Sequence, residues 1–340
     1  MADKRQLRGA VLRVECRLFS SRRRKSGAIF MAVMLDKPQT QLAKKVVQGP
    51  VGFIGAGKVG TALASLLHGR GVDVRAVSGR KPADGRRMAL GAGLDQGAAS
   101  SSAKTVASAD LVFLTVPDDS IEPLCMEIAR AGGWRAGQGV VHCSGALPSS
   151  VLQSARDAGA FIASFHPLQT FASLQAALTN MPGSTFAIEG DPELVEQLDA
   201  LVELLGGTAL HLRPEEKTLY HAAATIASNY TVTLASLASR LLVDQGVAPD
   251  VNTALGYLLP LLRGTIDNLE ALGLPDALTG PLSRGDVGTV ASHLAALDRY
   301  APETAHLYRH LARLTLPLAQ AKGHLDDATT GELRSLIETE

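Results

Sequence analysis

Ten residues restrict the fold more than any other stretch of this chain: Val51-Gly52-Phe53-Ile54-Gly55-Ala56-Gly57-Lys58-Val59-Gly60. An apolar run that predicts a buried strand meets glycines at G-x-G-x-x-G spacing. A helical run of small and apolar residues, Thr61 to Leu67, follows directly. Each glycine has its own mechanical task. Gly55 makes the tight turn, Gly57 lets the backbone approach a pyrophosphate, and Gly60 lets the helix pack on the strand. The helix start adds unpaired N–H groups and the positive end of a dipole, which suit phosphate.

From Gly49 onward, apolar strand runs alternate with helical patterns. Strands are predicted at about 50–55, 73–78, 111–116, 140–143, 161–165, 184–188 and 208–212. Helices are predicted at about 58–70, 119–131 and 192–205. Fully apolar runs such as Leu111 to Val116 suit parallel strands buried on both faces. Asp118 or Asp119 is placed to cap the helix after Pro117. After residue 214 the strand signals stop, and helices are predicted at about 214–245, 249–272, 276–282, 286–298, 301–321 and 329–338. The expected fold is therefore a doubly wound, mostly parallel α/β sheet over residues 49–213, then an all-α domain over 214–340.

Residues 1–48 differ from the rest. They are rich in Arg and Lys, include Arg22-Arg23-Arg24-Lys25, and are nearly free of acids. They are expected to form a basic disordered extension or to lie upstream of a start at Met31 or Met34, rather than a transit peptide. The formal net charge of zero gives no reason to expect a nucleic-acid partner, and no apolar run is long enough to span a bilayer. Cys16, Cys125 and Cys143 are odd in number and lack metal-ligand spacing, which suits reduced thiols in the cytoplasm and no metal.

The second strand ends without the acidic residue that would hold a ribose diol. Ser78, Arg80 and Lys81 stand there, with Arg86 and Arg87 beyond. Donors and positive charge in that place favour a 2′-phosphate, hence NADP(H) rather than NAD. The expected cofactor contacts are Gly55, Gly57, Lys58, Val59, Gly60, Ser78, Arg80, Val116, Pro117 and Ser144.

Hydride chemistry needs a group that polarises the acceptor, a proton donor, and a hold on the substrate. Lys217 and His221 are four residues apart on one predicted helix, so they share a face, and Asn229 lies two turns beyond His221. Lys217 and His221 are the expected catalytic pair. Ser144 and His166, just after two strands, and Ser283 and Arg284, in Thr279-Gly280-Pro281-Leu282-Ser283-Arg284-Gly285-Asp286, are expected to bind substrate with Asn229. The Arg284 fork suits a carboxylate, and Asp286 is placed to cap the following helix.

Taken together, these motifs resemble a family of Rossmann-like oxidoreductases with a C-terminal domain of unknown function. The resemblance rests on the glycine motif, His142-Cys143-Ser144-Gly145-Ala146, Ser164 to Phe171, Lys217 to Tyr230 and Thr279 to Asp286, and covers about 50–340. The family is similar to pyrroline-5-carboxylate reductases, deazaflavin-dependent NADP oxidoreductases and β-hydroxyacid dehydrogenases. Some members are an alternative type of 2-dehydropantoate 2-reductase. In the hydroxyacid dehydrogenases the helix carries Lys-x-x-x-Asn. Lys217 matches the lysine and His221 stands where the asparagine would be. The resemblance implies an NADP-dependent reductase of a small keto or hydroxy carboxylate, 2-dehydropantoate being the best match, and a homodimer formed through the helical domain. Imine reduction and a non-catalytic NADP-binding sensor are the alternatives.

Overall fold

The computed structural model describes residues 49–338. The basic extension expected over 1–48 lies outside the described residues. The sheet holds β1 (Val51–Ile54), β2 (Val74–Ser78), β3 (Leu111–Leu114), β4 (Gly139–His142), β5 (Phe161–Pro167), β6 (Thr185–Gly190) and β7 (Thr208–His211). Its order is β2-β1-β3-β4-β5-β6-β7. The pairs linking the first five strands are parallel, β6 runs antiparallel to β5, and β7 is parallel to β6.

Alternation along each strand feeds two cores. Phe53, Leu111, Phe113 and Phe165 face one side, where α1 (Lys58–Gly69), α2 (Pro82–Gly91), α6 (Leu174–Asn180) and α7 (Pro192–Leu204) cover them. Ile54, Val112, Leu114 and Val140 face the other side. There α3 (Ser102–Ser108), α4 (Asp118–Arg130) and α5 (Gln153–Arg156) pack. Period-two burial on both faces is what a doubly wound sheet requires. Phe53 stacks on Phe113 at 5.0 Å, and Phe165 on Phe186 at 4.8 Å.

The helical region follows. It comprises α8 (Lys217–Asp244), α9 (Val251–Leu272), α10 (Pro281–Arg284), α11 (Val287–Tyr300), α12 (Pro302–Ala321) and α13 (Asp327–Glu338). The last three share a small core of Val290, Leu294, Leu316, Leu333 and Ile337. Helices α8 and α9 pack on each other and bury little else.

Three local expectations are corrected. A helix absent from those predicted, α3, forms after Ser101, whose hydroxyl accepts the Lys104 N–H as an N-cap. The helix expected at 276–282 is instead the four-residue α10. Gly273 and Gly280 at positive φ break the chain on either side, and Pro281 can only open a helix. Neither Asp118 nor Asp119 caps α4: Pro117 holds that position and both acids fall in the first turn. Asp286 caps α11 as expected, accepting the Thr289 N–H at 3.0 Å.

Candidate functional site

Sterics at the β1–α1 turn account for two of its glycines. Gly55 has φ +124°, and a Cβ there would stand 2.4 Å from the Thr115 carbonyl oxygen. At Gly60 a Cβ would stand 2.1 Å from Thr115 Oγ1 and 2.5 Å from the Gly55 carbonyl oxygen. Thr115 joins the two, donating its hydroxyl to the Gly55 carbonyl at 2.7 Å. Gly57 differs: the nearest atom to its Cβ would be 3.8 Å away. It occupies the N-cap of α1 with no side chain closing the helix end. The first N–H groups of α1 are thus left for an anion. These features fit a nucleotide pyrophosphate.

Other expected cofactor contacts divide. Arg80 is exposed and follows Gly79, whose Cβ would touch Ala56 of the glycine turn at 3.2 Å. Its backbone is therefore next to the turn, and among the described residues it forms no ion pair. Ser78 is corrected: it is fully buried, and its hydroxyl lies 3.5 Å from that of Ser102. Lys58 reaches across to the Phe171 carbonyl at 3.2 Å. Val59 follows it in the first turn of α1, and Val116 and Pro117 form the loop leaving β3.

At the C-terminal ends of β4 and β5, where such sheets bind ligands, the polar groups converge. Lys217, at the start of α8, is 1% exposed. Its ammonium donates to the Ser144 carbonyl at 3.2 Å and to Ser164 Oγ at 2.8 Å. Three ammonium donors are available, so one N–H is left over. Lys217 was expected in an open cleft; the structure places it under the site's surface.

Gly145 was not singled out, yet the geometry depends on it. A Cβ there would lie 2.7 Å from His221 Nδ1 and 2.8 Å from both Cε1 and Nε2 of His166. The two imidazoles cross edge to face with centroids 6.0 Å apart. His166 Nδ1 shares a hydrogen bond of 2.8 Å with the Tyr220 hydroxyl. His221 is exposed, while His166 and Tyr220 are half-buried. The structure therefore brings Lys217, His221, His166 and the Ser144 backbone together, and adds Gly145, Tyr220 and Ser164.

The Ser144 side chain is committed elsewhere. Its hydroxyl donates to Asp118 at 2.7 Å and accepts the N–H groups of Ala146 and Leu147. It shapes the loop and leaves only backbone for a ligand, which corrects its expected role as a hydroxyl contact. Asn229 and the 279–286 loop also fall outside the cluster. Asn229 is exposed about 12 Å along α8 from His221. Ser283 is buried and donates to the Leu278 carbonyl at 3.3 Å. Arg284 is exposed on α10, which packs on α11 and α12.

Burial sets the electrostatics. It pushes Lys217 down to about 8, against the opposing pull of Glu189 first, then Cys143 and Asp118. The same burial, with the Lys217 charge adding to it, brings His166 to about 4 and His142 to about 3. The His142 tautomer is fixed: Nδ1 accepts the Ser144 N–H at 3.1 Å, so Nε2 donates to the Pro148 carbonyl at 3.2 Å. Burial pushes Cys143 up to about 12, so this thiol is not a nucleophile at neutral pH.

Ser164 and Tyr220 could have been found from their spacing around His166 and Lys217. Gly145 could not, because its importance depends on two rings from distant segments.

Residues 35–167 match the model of a Rossmann-like domain, and residues 184–315 match that of a domain of unknown function, DUF2520. The first match begins inside the segment expected to be an extension. No curated protein matches the sequence. Among solved structures, the chain is similar to BF3122 from Bacteroides fragilis, provisionally assigned as an NADP oxidoreductase. The two share 26% identity at TM-score 0.61, over 80% of this chain and 99% of that one. Protein TM1727 from Thermotoga maritima gives 24% and 0.60 over the same shares. A pyrroline-5-carboxylate reductase from Coxiella burnetii gives 15% and 0.54, over 86% of this chain and all of that one, a likeness of fold. The chain therefore joins a segment that matches a Rossmann-like domain to a following segment that matches the DUF2520 domain.

Proposed function

We propose that this protein is an NADP-dependent reductase acting on a small molecule with a C=O group. The observation that carries this reading is the buried Lys217 ammonium, hydrogen-bonded behind the Gly145 loop where it meets His166 of β5 and His221 of α8. The similarity to a protein provisionally assigned as an NADP oxidoreductase supports it. The nicotinamide cofactor would supply the hydride. The turn Gly55 to Gly60 and the start of α1 would hold its pyrophosphate, with Arg80 near the 2′-phosphate.

The chain's own groups have distinct tasks. Lys217 is protonated at neutral pH and places positive charge where an alkoxide would develop. His221 is exposed beside His166 and is the group placed to hand a proton to a substrate oxygen. His166, held neutral by burial and hydrogen-bonded to Tyr220, packs edge to face against it. Reduction of an imine is the rival chemistry. A buried cation repels an iminium and stabilises an alkoxide, so Lys217 favours the carbonyl.

The apolar faces of α8 and α9 support a homodimer. Leu219 is 76% and Leu261 68% exposed, with Ile226, Tyr257 and Ile266 also exposed. A patch of this kind marks an interaction surface, and a second copy would cover it.

The test is direct. NADPH and NADH are titrated by fluorescence, and turnover is followed on a panel of 2-keto acids, 2-dehydropantoate first, and cyclic imines. Tight NADPH binding with keto-acid turnover, lost in Lys217→Met, is the expected result. Turnover of imines alone, unaffected by Lys217→Met, would overturn it. Light scattering gives the mass: a dimer is expected, and Leu261→Glu should yield monomer.

A further inference from the structure

Buried near Lys217 is a carboxylate that forms no ion pair among the described residues. Glu189 on β6 is the direct antiparallel partner of Ser164 on β5. It is 4% exposed. Its Oε2 accepts the Ser149 N–H at 2.8 Å and the Ser164 hydroxyl at 3.2 Å, and its Oε1 accepts the Ser149 hydroxyl at 2.6 Å. Three donors aimed at two oxygens suit an ionised carboxylate, because a protonated acid would need to donate in turn. Having given its hydrogen to Glu189, Ser164 Oγ has a lone pair for the Lys217 ammonium.

The contacts close a ring. Ser144 holds Lys217 through its carbonyl, Lys217 holds Ser164, Ser164 holds Glu189, and Glu189 holds Ser149. Residues 144–149 complete the circuit, so Glu189 pins the far end of the loop that carries Gly145. Ala163, Phe165 and Ile188 turn to the other face of the sheet, whereas the buried Ile162, two residues before Ser164, shares its face and belongs to an apolar core. A charged chain in such surroundings is a poor way to gain stability, since apolar replacements of similar shape usually serve as well or better.

We propose that Glu189 is the positioning residue of this site: through Ser164 it fixes the Lys217 ammonium in one orientation and keeps it charged. The proposal rests on the reading of Lys217 as the site's working cation. Other groups also face that ammonium. Cys143 follows β4, Asp118 opens α4, His142 ends β4 and His166 lies on β5, while Glu216, Tyr220 and His221 are the titratable neighbours of Lys217 along its own segment. Glu189 stands first among those that favour the charged form.

The experiment uses the full chain, labelled at lysine Cε with ¹³C, with no substrate or cofactor added. The Lys217 signal is assigned by its loss in Lys217→Met, and its titration midpoint is read by NMR. Glu189→Gln keeps the shape and removes the charge, and should lower the midpoint by about 1 unit or more. Ser164→Ala keeps the charge and cuts the link, and should lower it by a smaller amount. It also serves as the test if Glu189→Gln does not fold. A midpoint within about 0.3 unit of the parent in folded Glu189→Gln, or in Ser164→Ala where the first does not fold, would overturn the proposal, even if melting temperature fell. A lowered midpoint in a protein that reduces no substrate would keep the Glu189 assignment and remove the reductase reading.

Discussion

A Cβ on Gly145 would stand 2.7 Å from Nδ1 of His221, and its other nearest neighbours would be atoms of His166. The loop after β4 thus approaches two imidazoles from different parts of the chain, one on β5 and one on α8. Gly145→Ala should push both rings aside. We expect turnover to fall at least about tenfold with NADPH affinity kept, at a folding cost of about 1–3 kcal/mol. Parallel measurement of kcat, cofactor Kd and Tm checks this, and unchanged turnover would show that the rings are not used.

Lys217 gives stability a predictable pH dependence. Its value in the folded protein is lowered from 10.5 to about 8. Between those values the unfolded chain binds more protons than the folded one, so stability rises with pH through this window. The Lys217 contribution is about 3 kcal/mol across it. Urea unfolding of the parent and of Lys217→Met at pH 8 and pH 10.5 should show a smaller rise in the variant.

The acid side depends on His142 and His166. Both are held neutral by burial, at about 3 and about 4. As pH falls below the unfolded value of 6.5, the unfolded chain gains protons that these rings refuse. Stability is therefore lost on acidification, over 6.5 to about 4 for His166 and further down for His142. His142→Asn should flatten that loss in acid unfolding monitored by circular dichroism.

Arg80 is exposed beside the glycine turn. If it meets a 2′-phosphate, Arg80→Ala should weaken NADPH binding by about 10- to 100-fold, the value of a charge-assisted hydrogen bond. NADH binding should not change. Equal losses for both cofactors, measured by fluorescence titration, would place Arg80 elsewhere.

At Gly60 the clash is with backbone as well as side chain, including the Gly55 carbonyl oxygen at 2.5 Å. Gly60→Ala should cost about 1–3 kcal/mol by overpacking and should also weaken cofactor binding by moving the start of α1. Loss of Tm with intact NADPH affinity would separate the turn's packing role from its ligand role.

By itself the sequence determined the architecture, because continuous apolar runs, a glycine turn and helix breaks are local signals that burial then obeys. The seven strands lie close to where the pattern put them, and Lys217 and His221 do share one face of α8. Only tertiary structure decided which polar groups meet. Pairing β5 with an antiparallel β6 set Glu189 opposite Ser164, which no motif in either segment announces. The same packing buried the Ser78 and Ser283 hydroxyls, left Asn229 and Arg284 outside the cluster, and put Lys217 beneath the site's surface. Residue type records what a side chain can do. Whether it is charged, buried or free to touch a ligand depends on neighbours that only long-range contacts supply.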